Sequence, residues 1–147
     1  MFLSSKFSVF IYVIIALIVG SLASSNGADD IWYKELNKSS LNPPGYIFGI
    51  VWPILYVLMS ISAYRTFDET KKLFLIQLVF NALWSWLFFF FQMPVLALFN
   101  IWLLIYLNIK LNILMYNQDK FSGYIFFPYV AWLMFASYLN IFIVINN

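Results

Sequence analysis

The chain has no cysteine and no histidine, and only 10% of its 147 residues carry charge. Each shortage closes a class of chemistry. Without cysteine there are no disulfides, thiolate nucleophiles or cysteine-ligated zinc sites. Without histidine the commonest general base and metal ligand are missing too. The six carboxylates fall between the apolar runs, none paired on a helix face inside one, so no conventional acid–base pair and no metal site is expected. Hydrophobic residues make up 64% of the chain, and its charge lies far below the roughly 25% of a soluble domain. A soluble core of this size has no room for that much apolar surface, so lipid is the expected solvent. The net charge of +2 is small and scattered, which argues against nucleic-acid binding.

What is abundant is aromatic. Seventeen Phe, ten Tyr and six Trp exceed what two interfacial belts require, so some must face inward. Five apolar runs can be read: residues 7–23, 45–64, 73–91, 95–115 and 121–145. Each is near the ~20 residues that cross ~30 Å of hydrocarbon. The expected fold is an all-α integral membrane protein, a five-transmembrane-helix bundle forming one domain over residues 1–147. Residues 24–44 form the one long polar loop, and Arg65 to Lys72 reads as a charged connection. The first run, flanked by Lys6 and Ser21-Leu22-Ala23-Ser24, also resembles a secretory signal. A retained helix is the favoured reading, because Ala16 and Gly20 form a small-xxx-small pair suited to helix packing.

Basic residues set the orientation. Lys6, Arg65, Lys71, Lys72 and Lys120 share one side, with Lys110 snorkelling towards it, against Lys34 and Lys38 on the other. This predicts a cytoplasmic N-terminus, an external long loop and, without a targeting sequence, a bacterial inner membrane. The alternative is a mitochondrial outer membrane.

Three helices carry polar or flat groups at matching steps. Asn42-Pro43-Pro44 reads as a helix start, with Asn42 as cap and the prolines stiffening the loop into a lid. Gly45, Gly49, Trp52, Tyr56, Ser60 and Ala63 then follow at three- and four-residue steps. Gly45 and Gly49 form a GxxxG that allows close helix approach, and core packing accounts for such a stripe as well as a ligand slot does. Gln77, Asn81 and Ser85 share a face of the third run, and Pro128, Trp132, Ala136 and Asn140 one of the fifth. Amides at mid-membrane must find partners, so they are expected inside, either as glue between helices or as anchors for a bound molecule. Asn100, Asn108 and Asn112 look like glue or, for Asn112, an interfacial residue. Trp52, Trp132, Gln77 and Asn81 are expected to converge.

At these residues the chain resembles the TspO/MBR family, the tryptophan-rich sensory protein / translocator protein family also called the peripheral benzodiazepine receptor family. The resemblance lies in WY-x-x-L-x-K at Trp32 to Lys38, PP-x-x-x-F-x-x-VW-x-x-LY-x-x-M at Pro43 to Met59, QL-x-x-N-x-x-WS at Gln77 to Ser85, and PY-x-x-W-x-x-FA-x-x-LN at Pro128 to Asn140. It implies five transmembrane helices, a homodimer, and a cavity under the first loop. That cavity takes tetrapyrroles such as protoporphyrin IX, cholesterol in animal members, and isoquinoline carboxamide or benzodiazepine ligands. Matching pocket positions are Trp52, Gln77, Asn81, Trp132, Ala136 and Leu139, joined by Phe48 and Tyr56 of the same segment. Trp32, Pro43 and Pro44 shape the lid.

Three departures stand out. The family's KP-x-W loop reads Lys38-Ser39-Ser40-Leu41, which predicts a more mobile lid. Tyr46 stands for the usual Trp after the double proline. No basic residue follows Tyr138, which argues against a dedicated sterol role.

The expected function is a tetrapyrrole-binding sensor, scavenger or carrier with no obligatory cofactor and porphyrin as ligand. Tryptophans would stack on the ring while Lys34 or Lys38 meets a propionate. One alternative is an enzyme degrading porphyrin oxidatively through indole chemistry at Trp52 and Trp132. Another is a small-molecule transporter, although nothing resembles inverted repeats.

Overall fold

The computed structural model describes residues 5–23 and 30–147, and all regular structure among them is helical. The helices are α1 (Ser8–Ala23), the short α2 (Ile31–Glu35), α3 (Gly45–Arg65), α4 (Phe67–Ser85), α5 (Pro94–Gln118) and α6 (Lys120–Asn146). A π-helical turn, Trp86–Phe90, continues α4. α3, α4 with its π turn, α5 and α6 are long and apolar enough to cross a membrane, and α1 is a shorter apolar helix. The result is a five-helix membrane bundle, with α2 lying in the segment that joins α1 to α3.

Two boundaries differ from the sequence reading. α4 begins at Phe67 rather than Leu73, so most of the expected charged connection is helix. Asp68 and Glu69 fall in its first turn, where carboxylates complement the positive end of the helix dipole. Only Thr66 separates α3 from α4. At the next hairpin α5 runs on to Gln118, leaving Asp119 as the sole link to α6. Here Arg65 Nε and Ser122 Oγ each donate to the Asp119 carboxylate at 2.6 Å, pinning the α3 end to the α5–α6 turn.

Hydrophobic burial does little to hold helices together in lipid, so close packing and polar contacts must do it. Gly123 shows the first: a Cβ there would lie 2.5 Å from Tyr116 Cβ and 2.7 Å from its Cα, so only glycine allows α5 and α6 this close. On α1, Ala16 and Gly20 are both buried, and a Cβ at Gly20 would just touch Ala82 and Ser85 of α4. Asparagines supply the second. Asn100 Nδ2 donates to Phe80 O, tying α5 to α4, and Asn112 Nδ2 donates to Gly123 O, tying α5 to α6. Asn112 thus serves as glue between helices, while Asn108 Nδ2 bonds Leu104 O of its own helix.

Candidate functional site

Residues of α1, α3, α4 and α6, with Ile101 and Leu104 of α5, line a cavity of about 460 Å³ that Tyr33 of α2 also reaches. α3 contributes Gly45, Phe48, Gly49, Trp52, Pro53 and Tyr56. α4 and its π turn give Asn81, Trp84, Ser85, Phe88 and Phe89, and α6 gives Trp132, Ala136, Leu139 and Asn140. Tyr33 and Asn42 reach it from the lid, and Leu17, Gly20 and Ser21 from α1. Among the described residues, no lining residue is charged.

The aromatic walls follow from the helical steps. Trp52 stands edge-on to Trp132, ring centres 6.3 Å apart at 86°, and is tilted over Tyr56 at 5.7 Å. Phe48 meets Trp132 edge-on at 5.9 Å. Opposite, Trp84 and Phe88 stack at 4.9 Å and 18°. Gly49 leaves space rather than closing it: a Cβ there would meet nothing within 4 Å. The expectation that its GxxxG draws a neighbouring backbone close is therefore corrected at Gly49, where the missing side chain enlarges the cavity.

Beneath Trp52 runs a buried polar chain. Tyr56 Oη donates to Asn81 Oδ1 at 2.6 Å, and Asn81 Nδ2 donates to Tyr129 Oη at 2.9 Å. Tyr129 Oη in turn donates to Gln77 Oε1 at 2.7 Å. Asn81 therefore reaches the cavity, whereas Gln77 lies fully buried one turn deeper and does not line it. The expected convergence holds for Trp52, Asn81 and Trp132. For Gln77 the amide is instead spent on Tyr129, a residue the sequence reading quoted only as part of a motif. A second chain crosses near the lid, with Trp84 Nε1 donating to Asn140 Oδ1 and Asn140 Nδ2 to Pro94 O.

The lid is built from α2 and the turn after it. Asp30 caps α2 by accepting from Tyr33 N. Lys38 Nζ folds back over the Tyr33 ring and donates to the carbonyls of Tyr33, Leu36 and Lys34 at 2.6, 3.2 and 3.4 Å. It closes the end of α2, and burial holds its pKa below the ordinary lysine value. Lys34 is exposed and, like Trp32, Pro43 and Pro44, does not line the cavity. Trp32 packs edge-on against Phe88 at 5.6 Å, and Tyr33 packs against Phe88 and Phe89. Burial raises the Tyr33 pKa, keeping the phenol neutral.

Asn42 does not cap α3. Pro44 holds the cap position, and Asn42 Nδ2 turns to Tyr33 Oη and Pro43 O, both at 3.3 Å. Nor does the serine-rich departure leave the lid unattached. Ser39 is buried, its hydroxyl 2.6 Å from Tyr138 Oη of α6, and Leu41 N donates to it. Asn37 and Asn147 add a reciprocal pair: Asn37 N donates to Asn147 Oδ1, and Asn147 Nδ2 to Asn37 O.

Five apolar helices enclosing a lidded, tryptophan-walled cavity define the class, an integral membrane protein with an intramembrane pocket. The model for the TspO/MBR family matches residues 8–145. A tryptophan-rich protein TspO from Archaeoglobus fulgidus is 33% identical, covering 92% of this chain and 94% of its own length. Protein CrtK of Rhodobacter capsulatus is 36% identical over 74% of each chain, and the human translocator protein 30% identical over 74% of this chain and 70% of its own. The chain belongs to the TspO/MBR family.

Proposed function

We propose that this protein is a membrane receptor for flat, hydrophobic molecules of tetrapyrrole size, held beneath the lid and either sensed, scavenged or carried. The observation that carries the reading is the meeting of Trp52, Trp132 and Trp84 around one cavity with no charged residue among its described lining. Its volume lies within the roughly 300–1,000 Å³ range of small-molecule pockets. Edge-on indoles present both faces and edges to a π-system, the geometry that aromatic rings favour. With no His or Cys in the chain, the commonest axial haem ligands are missing, so a metal-free porphyrin is expected to bind at least as well as haem.

The test is quenching of tryptophan fluorescence by a metal-free porphyrin in lipid nanodiscs. Saturable quenching, weakened in a Trp52→Phe/Trp132→Phe variant, supports the reading. Unsaturable quenching, or the same curve for the variant, sinks it. Oxidative breakdown of the ligand would draw on the same indoles, 6.3 Å apart. Oxygen- and light-dependent porphyrin loss that disappears in the variant while binding persists would favour that chemistry.

A further inference from the structure

We infer that Asn147 is a positioning residue for the lid: through it the last turn of α6 latches the loop at Asn37, and this latch sets how often the lid opens. Two helix ends meet here. Leu36 stands at the C-cap of α2 and Asn147 at that of α6. Each end leaves backbone carbonyls without donors from its own helix. Lys38 Nζ takes up those of α2. Those of α6 are met by side-chain amides: Asn146 Nδ2 donates to Phe142 O and Asn147 Nδ2 to Ile143 O, both at 2.8 Å.

Asn37 lies between the two ends and bonds to α6 on three sides. Its backbone N–H donates to Asn147 Oδ1 at 2.9 Å, and its carbonyl accepts from Asn147 Nδ2 at 3.0 Å. Its own Nδ2 donates to Asn146 O at 3.0 Å. The Asn147 amide therefore serves its own helix and the lid together. Asn146 gives the lid only a backbone carbonyl, so its side chain belongs to the helix end alone.

The latch also touches the cavity wall. Ile143, whose carbonyl Asn147 holds, is buried, lines the cavity and packs in one cluster with Tyr33 and Phe88. A shift of this last turn is thus passed both to the wall and to Asn37. Asn37, Asn146 and Asn147 are all exposed, so their bonds compete with water. Losing them changes the frequency of local opening and leaves the folded bundle in place.

Hydrogen exchange of the ligand-free protein in lipid nanodiscs tests the latch. Asn147→Ala removes both bonds of its amide to the lid and one to Ile143 O; Asn146→Ala removes only the bond to Phe142 O. Exchange over residues 36–42 is expected to quicken by about two- to tenfold in Asn147→Ala. It should stay at the native rate in Asn146→Ala, and the buried amides of α3 to α5 should stay protected in both. Native exchange in Asn147→Ala overturns the inference. So does an equal quickening in Asn146→Ala, which would mean mere fraying of α6. The bearing on ligand exit rests on the receptor reading: a metal-free porphyrin should leave Asn147→Ala about two- to tenfold faster than native. Unchanged release from a loosened lid overturns the gating role. If no porphyrin binds saturably, the receptor reading fails and the exchange comparison alone decides the latch.

Discussion

Tyr129→Phe removes one oxygen from the centre of the bundle and should cost more than any other single-atom change. Tyr129 is completely buried, and its hydroxyl both accepts from Asn81 Nδ2 and donates to Gln77 Oε1. Its loss strands a donor and an acceptor at once. Gln77 Nε2 already has no partner among the described residues, so the whole amide would be left without one there. A buried polar group without its partner costs about 1–3 kcal/mol, whereas hydrogen bonds inside membrane proteins average only about 0.6 kcal/mol in double-mutant cycles. Two stranded groups therefore give about 1–6 kcal/mol, and we expect a loss near 2 kcal/mol, towards the membrane-protein end of that range. The assay is reversible unfolding in mixed micelles, with Tyr106→Phe on the lipid-exposed face of α5 as control. Adding Gln77→Leu to Tyr129→Phe should recover part of the loss, because removing both partners is cheaper than removing one. The reasoning is refuted if Tyr129→Phe stays within about 0.5 kcal/mol of the native protein, or if Gln77→Leu adds its full cost to the double variant.

Other outcomes follow from the same geometry. Gly123→Ala forces a Cβ into the Tyr116 backbone and should destabilise the α5–α6 hairpin by about 1–3 kcal/mol in the same unfolding assay. Gly49→Leu, by contrast, should leave stability within about 0.5 kcal/mol and weaken porphyrin quenching, since its side chain grows into open cavity. Ser39→Ala cuts the lid from Tyr138 and should speed ligand release by about two- to tenfold in stopped-flow fluorescence, the equivalent of one net hydrogen bond. Hydrogen bonds from Arg65 and then Ser122 pull the Asp119 pKa down to about 2. Its stabilising contribution is therefore complete above the ordinary carboxylate pKa of about 4 and lost as pH falls towards 2. The Tm gap between native protein and Asp119→Asn should persist from pH 7 to 5 and close below about pH 4.

The helices were legible because apolar length alone marks a membrane span, and α3, α5 and α6 lie within three residues of where their apolar runs predicted. The start of α4 was not, because Asp68, Glu69, Lys71 and Lys72 read as loop by composition although the first two suit a helix N-terminus. α2 escaped for a different reason. Five residues are too short for any periodicity, and Asp30 as cap with Lys38 on the trailing carbonyls is recognisable only once the chain has turned back. Within the site, helical spacing brought Trp52, Asn81 and Trp132 together correctly. It was unable to separate Asn81 from Gln77, which share a face one turn apart, because Tyr129 of α6 decides which amide meets the cavity. The lining from α1 carried no cavity signal: Leu17 and Ser21 are ordinary in an apolar helix, and Gly20 read only as a helix-packing residue. Ser39 carries a signal the sequence hides, since a lost proline suggests freedom while the serine hydroxyl supplies a tie to Tyr138.

The central claim is that the lidded cavity, not the lipid-facing surface, is the ligand site. A structure of the protein in lipid with a metal-free porphyrin bound tests it most directly. The account predicts the macrocycle between Trp52 and Trp132 on one side and Trp84 and Phe88 on the other, beneath Tyr33 and Asn42. Porphyrin lying against the outer face of the bundle, with the cavity empty or filled by lipid, would contradict it.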